Sequence, residues 1–79
     1  MKFTNYYLHT RLRPDRIIIK PEWIEQVFYH YEFETKQADN RLRRWGYIEE
    51  VNKYLRLVVL EDRETIHNAF FDRSYNKLV

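Results

Sequence analysis

The side chains of this chain best suited to act on a phosphate are its imidazoles and guanidiniums. Fourteen residues are Lys or Arg, nine of them Arg, against twelve Asp or Glu; there are three histidines and no cysteine. Arg56 sits inside the apolar run Tyr54-Leu55-Arg56-Leu57-Val58-Val59-Leu60. A charge there must face solvent or meet a carboxylate such as Glu61 or Asp72. His67 lies in the next such run, Thr65-Ile66-His67-Asn68-Ala69-Phe70-Phe71. Imidazole titrates near neutral pH, so His67 can protonate a leaving 5′-oxygen; it can equally be a half-buried histidine hydrogen-bonded to a neighbouring strand. His9 and Arg13 are four apart on a helix-like segment. That spacing suits a general base beside a phosphate clamp, and suits two solvated side chains as well. Arg41, Arg43 and Arg44 form a basic cluster that fits phosphates or a strand kept soluble by its charge.

Several other chemistries are excluded. His9, His30 and His67 have no metal-ligand spacing and no cysteine joins them, so neither a metal nor another cofactor is expected. One glycine cannot build a nucleotide-cradling loop, and the one serine, Ser74, has no histidine motif beside it, which rules out serine hydrolysis. The lack of cysteine suits a reducing cytosol. No apolar run approaches the ~20 residues of a membrane span, and the first residues lack the apolar stretch of a signal peptide. The expectation is a cytoplasmic protein without a membrane partner. Its 79 residues form one domain, 1–79, close to the size at which a single core only just suffices. Aromatic residues, 18% of the chain, supply the bulk such a core needs. A net charge of +2 favours an anionic partner only weakly, but arginine is the side chain made for phosphate forks and base stacking.

The elements that must position these groups follow from periodicity. Residues 54–60 and 65–71 read as two strands joined by the polar turn 61–64. Ahead of them, residues 4–13 predict a short helix capped by Thr4 or Asn5 and ended by Pro14. Ile17-Ile18-Ile19 reads as an extended connector. Pro21 opens a second helix, with Glu22 and Glu25 near its positive end and an apolar stripe of Trp23, Ile24, Val27, Phe28 and Tyr31. Residues 33–37 suggest an edge strand, 38–40 a turn, and 41–48 a further strand with Gly46 as a bulge or bend. Residues 49–52 turn the chain again, and 74–79 form a tail without an assigned element. The sum is an α+β domain, two N-terminal helices packed on a three- to four-stranded antiparallel sheet.

Side chains alternate across a strand, so the sheet has two unlike faces. Leu42, Leu55, Leu57, Val59, Ile66 and Phe70 are expected to meet the helices. Arg41, Arg43, Trp45, Tyr47, Tyr54, Arg56 and His67 are then left on the other face. Basic groups interleaved with flat rings are what single-stranded RNA requires, charge for its phosphates and rings for its unpaired bases. Trp45 and Tyr47 serve equally as packing residues.

The pattern His9-Thr10-Arg11-Leu12-Arg13, Arg16-Ile17, Arg41, Tyr54-Leu55-Arg56-Leu57-Val58-Val59 and residues 65–73 resembles a family of small bacterial domains related to the RelE/ParE and BrnT toxins. Members typically open with a His and an Arg four residues on, carry an Arg and a Gly ahead of a Leu-Arg-Val-Val strand, and close on a hydrophobic strand. The likeness runs from His9 to Arg73; His67-Asn68 departs from the hydrophobic–Thr pair of many members. It implies a RelE-like fold and metal-independent endoribonuclease activity, in which a 2′-hydroxyl attacks the adjacent phosphate. It also implies inhibition by a small antitoxin protein. Carried onto this chain, the likeness matches His9 and Arg13 to the opening pair, Arg41 to the basic residue before the sheet, and Arg56 to the strand Arg. Read together, Arg56, His67 and His9 are the candidate catalytic residues, and Arg41, Arg43, Arg13, Tyr47 and Tyr54 the candidate RNA contacts. The alternative is a non-catalytic module of the same fold that binds a protein or nucleic-acid partner.

Overall fold

In the computed structural model, residues 1–75 are described. Strand β4, Lys53–Val59, is the centre of the molecule, because its alternating residues Leu55, Leu57 and Val59 are all fully buried. It pairs antiparallel with β3, Leu42–Ile48, on one side and with β5, Thr65–Phe71, on the other. A short edge strand, β2, Phe33–Lys36, pairs antiparallel with β3. The fifth strand, β1, Lys2–Phe3, lies parallel to β5 through Lys2 opposite Thr65 and Phe3 opposite Ile66. Strand order is β1-β5-β4-β3-β2, so the sheet is five-stranded and mixed.

Two expectations are corrected here. The sheet is not purely antiparallel with three or four strands, and the chain does not open with helices, because β1 precedes them. Two residues carry no period, so their pairing is invisible until the rest of the sheet is built. The first helix is shorter than residues 4–13: α1 is Asn5–Thr10, capped by Thr4, whose Oγ1 accepts the Tyr7 N–H at 3.1 Å. Ile17-Ile18-Ile19 is not an extended connector but the end of a chain of turns over residues 11–19, closed by bonds such as Arg16 N–H to Arg13 O and Ile17 N–H to Arg13 O. Of the tail, residues 76–79 lie outside the described residues.

Helix α2, Pro21–His30, forms where its proline and stripe predict it. It buries Trp23, Ile24, Val27 and Phe28 against the sheet, each worth roughly 1.5–3 kcal/mol. Gly46 is not a bulge; it stays in register opposite Leu55. A Cβ there would stand 2.8 Å from Val27 Cγ2, so glycine is what allows α2 to sit this close to β3. The bulge lies in β5, where Val58 faces Asn68 but Val59 faces Ile66, leaving His67 as the extra residue. That one-residue insertion puts Ala69 in the core and moves Phe70, expected there, to the far face. Both helices cover one face of the sheet. Beyond the reach of β1, the border of β5 is closed by side chains. Asn68 Oδ1 accepts the Ala69 N–H at 3.0 Å, and the Arg16 guanidinium donates to Ala69 O at 3.2 Å.

Candidate nucleic-acid interface

The strand registers arrange the helix-free face in three rows. Thr35, Arg43, Val58 and Asn68 form one, and Phe33, Trp45, Arg56 and Phe70 the next. Tyr47 and Tyr54 begin the third, beside Asp72, whose N–H bonds Tyr54 O. Rings crowd the second and third rows. Trp45 stacks on Tyr75 with centroids 4.9 Å apart and meets Phe33 at 5.8 Å, while Tyr47 and Tyr54 lie 5.1 Å apart. Tyr47 also donates its hydroxyl to Asn52 Oδ1 at 2.8 Å.

Arg56 is held by its surroundings. Its guanidinium lies over the Trp45 ring at 5.6 Å and the Phe70 ring at 5.0 Å, and its Nη1 is 3.6 Å from Asp72 Oδ2. The Trp45 indole N–H donates to the same carboxylate oxygen at 3.0 Å. Burial alone would raise the Asp72 pKa; the indole, the Ser74 N–H and hydroxyl, and Arg56 together hold it below the ordinary 3.8. Of the two settings open to a mid-strand arginine, Arg56 therefore has the carboxylate.

Arg43 differs. Among the described residues no carboxylate lies within ion-pair distance of it, and its buried Nε has no hydrogen-bond partner. Thr35 Oγ1, directly opposite on β2, is also buried and unpartnered, as is the Nε of Arg56 in the next row. Buried polar groups nearly always find partners, so three orphans on one sheet face set it apart from the helix-covered face.

His67 stands where β1 ends. Its Nδ1 is 3.1 Å from Thr4 Oγ1 and its ring stacks on Tyr6 with centroids 4.7 Å apart. Burial, then the positive charge of Arg41, push its pKa below 6.5, with Asp39 acting in the opposite sense. The ring is thus kept neutral near pH 7, which suits a proton acceptor better than the donor role expected of it. Arg41 itself is half-exposed and 3.5 Å from Asp39 Oδ2.

The remaining candidates lie elsewhere. His9 is exposed on α1 and Arg13 on the turn after it, and no hydrogen bond or ion pair among the described residues joins either to His67, Arg43 or Arg56. Arg44 leaves the basic cluster altogether: it points to the core face, donates to Glu34 at 2.7 Å and to Phe28 O at 3.0 Å, and lies over the Phe28 and Tyr31 rings. Sequence patterning marks Thr4 only as a helix cap and Tyr6 not at all. Thr35 leaves a signal, since it shares parity with Phe33 on a strand whose partner carries Arg43. No group of three or more acidic or histidine side chains placed to hold a metal occurs among the described residues, and no helix there is long and apolar enough to cross a membrane. Compared with known family models, with curated proteins and with solved structures, the chain matches none.

Proposed function

We propose that this protein binds single-stranded RNA across the helix-free face of its sheet, as a toxin-like protein of RelE-like fold acting in the cytoplasm under the control of a small antitoxin. The observation that supports it is the partly exposed Arg43, without a carboxylate partner among the described residues, on the same sheet face as the partly exposed rings of Tyr47 and Tyr54. Guanidinium groups hold phosphates and rings take unpaired bases. In this reading Arg43 and Arg41 contact the backbone, and Arg56, already paired with Asp72, presents its remaining N–H groups and fixes Trp45.

The narrower reading is metal-independent cleavage. Neutral His67 removes the 2′-hydroxyl proton as that oxygen attacks the adjacent phosphorus. The bond from phosphorus to the 5′-oxygen breaks, and the departing oxygen takes a proton from water. The products are a 2′,3′-cyclic phosphate and a 5′-hydroxyl. One observation favours a non-catalytic module instead: Arg56, the strand Arg of the resemblance, is neutralised by Asp72.

Labelled single-stranded RNA titrated into the protein separates these readings. Arg43→Gln should weaken binding about tenfold and lower the salt slope by about one. Absence of binding by the wild type at low salt sinks the RNA reading. Binding with intact RNA after long incubation leaves the non-catalytic module, whereas cyclic-phosphate products lost in His67→Asn establish the nuclease.

A further inference from the structure

On the helix side of the sheet, a cavity of about 220 Å³ opens between α1, the turns of residues 11–19 and α2. Ile19 and Ile24 of the core form its floor, while Leu12 and Ile17, each 64% exposed, stand at its mouth. Two polar groups in this apolar setting have no protein partner. Tyr7 is only 6% exposed as a residue, but its hydroxyl is not closed off from solvent and makes no hydrogen bond among the described residues; its bonds are through its backbone. Arg11 lies at the rim, with no carboxylate in ion-pair distance among the described residues. Its charge reaches the Tyr7 hydroxyl, opposing the rise in pKa that burial imposes. Arg16, on another wall, is already committed to Asn68 Oδ1, Ala69 O and Asp15. The volume falls between the ~150 Å³ that admits benzene and the ~300 Å³ at which drug-sized sites begin.

We propose that this cavity binds a small carboxylate carrying one ring or a short alkyl chain, its carboxylate held by Arg11 and the Tyr7 hydroxyl and its apolar body by Leu12, Ile17, Ile19 and Ile24. Such a ligand gives the Tyr7 hydroxyl a partner in place of water, pairs the exposed Arg11 guanidinium and covers the two exposed side chains at the mouth. A neutral ligand leaves Arg11 unused, and a ligand polar along its whole length meets the apolar Leu12, Ile17, Ile19 and Ile24. The site lies across the sheet from the face proposed for RNA and does not depend on that reading.

The test is an amide-shift titration of the whole chain, without RNA, with octanoate and phenylacetate, and with methyl octanoate as the uncharged comparison. Saturable shifts should be confined to residues 7–24 and the neighbourhood of Ala69, for at least one of the two acids. Arg11→Gln, a change at an exposed position, should weaken binding about tenfold, and Tyr7→Phe about fivefold. The ester should bind about tenfold more weakly than octanoate. The proposal is overturned if neither acid produces saturable shifts here, if the ester binds as tightly as octanoate, or if Arg11→Gln leaves affinity unchanged.

Discussion

Arg43 and Arg44 are neighbours on β3 and live under opposite rules. Arg44 points toward α2, where its side chain is 6% exposed and each contact is answered: a carboxylate at 2.7 Å, a carbonyl at 3.0 Å, and the rings of Phe28 and Tyr31. Arg43 points the other way, with an orphaned Nε and no carboxylate partner among the described residues. A guanidinium is stabilising in the interior only when its hydrogen bonds close, so Arg44 belongs to the fold. Arg43 adds nothing comparable to stability and is available to a ligand. Chemistry-bearing residue types alone do not separate the two; the face of the strand does.

Substitutions sharpen that contrast. Arg44→Met strips Phe28 O of its side-chain donor, leaves Glu34 only the exposed Arg63, and should lower unfolding free energy on the order of 3 kcal/mol in urea, while Arg43→Met changes it by no more than about 0.5 kcal/mol. Equal losses would erase the distinction between the faces. Next, Gly46→Ala drives a methyl into Val27 and should cost about 2 kcal/mol, with Val27→Ala added to it recovering part of the loss. An unaltered midpoint would mean that α2 yields freely.

Asp72→Asn tests the locked part of the helix-free face and should cost about 1.5 kcal/mol at neutral pH. Asp72 has a depressed pKa in the fold, so its contribution is present above 3.8 and lost as pH falls through the folded value; the Asn variant should lack that loss. The smallest effect concerns His67. Its folded pKa is also depressed, so the stability it contributes is present above 6.5 and declines as pH drops from there through the folded value. His67→Gln should flatten stability over that window, and Arg41→Gln should raise the histidine pKa measured from ring proton shifts. A histidine titrating at or above 6.5 in the wild type would contradict the burial described for it.

How much of this was legible in the sequence follows from which residues carry a period. Helix α2 and strand β4 stood out because their apolar residues recur at 3.6 or 2, while β3 and β5 were marked by short runs rich in strand-forming residues between turns. The basic and aromatic content of one face followed from the same alternation. The bulge at His67 was not visible, since one inserted residue leaves the local pattern plausible while exchanging Phe70 for Ala69 in the core. Gly46 was noticed for the wrong reason: its role is set by Val27, nineteen positions earlier, and no local window contains both. Arg44 was misplaced with its neighbours because a cluster in sequence is divided in space by the pleat. The Arg56–Asp72 pair was one of two carboxylate options, Glu61 being the other, and only the register of β4 against the chain beyond β5 decides between them.

The parallel pairing of β1 with β5 also governs when the protein can be completed. Lys2 and Phe3 find their partners at Thr65 and Ile66, and Thr4 meets His67, so each contact spans 63 residues. A ribosome must deliver residues 65–67 before Lys2, Phe3 and Thr4 have anything to pair with, whereas β3 and β4 meet across a short turn as soon as both have emerged. The N-terminal strand is therefore expected to dock last and detach first. Weakening it by Thr4→Ala should accelerate unfolding while leaving the folding rate nearly unchanged.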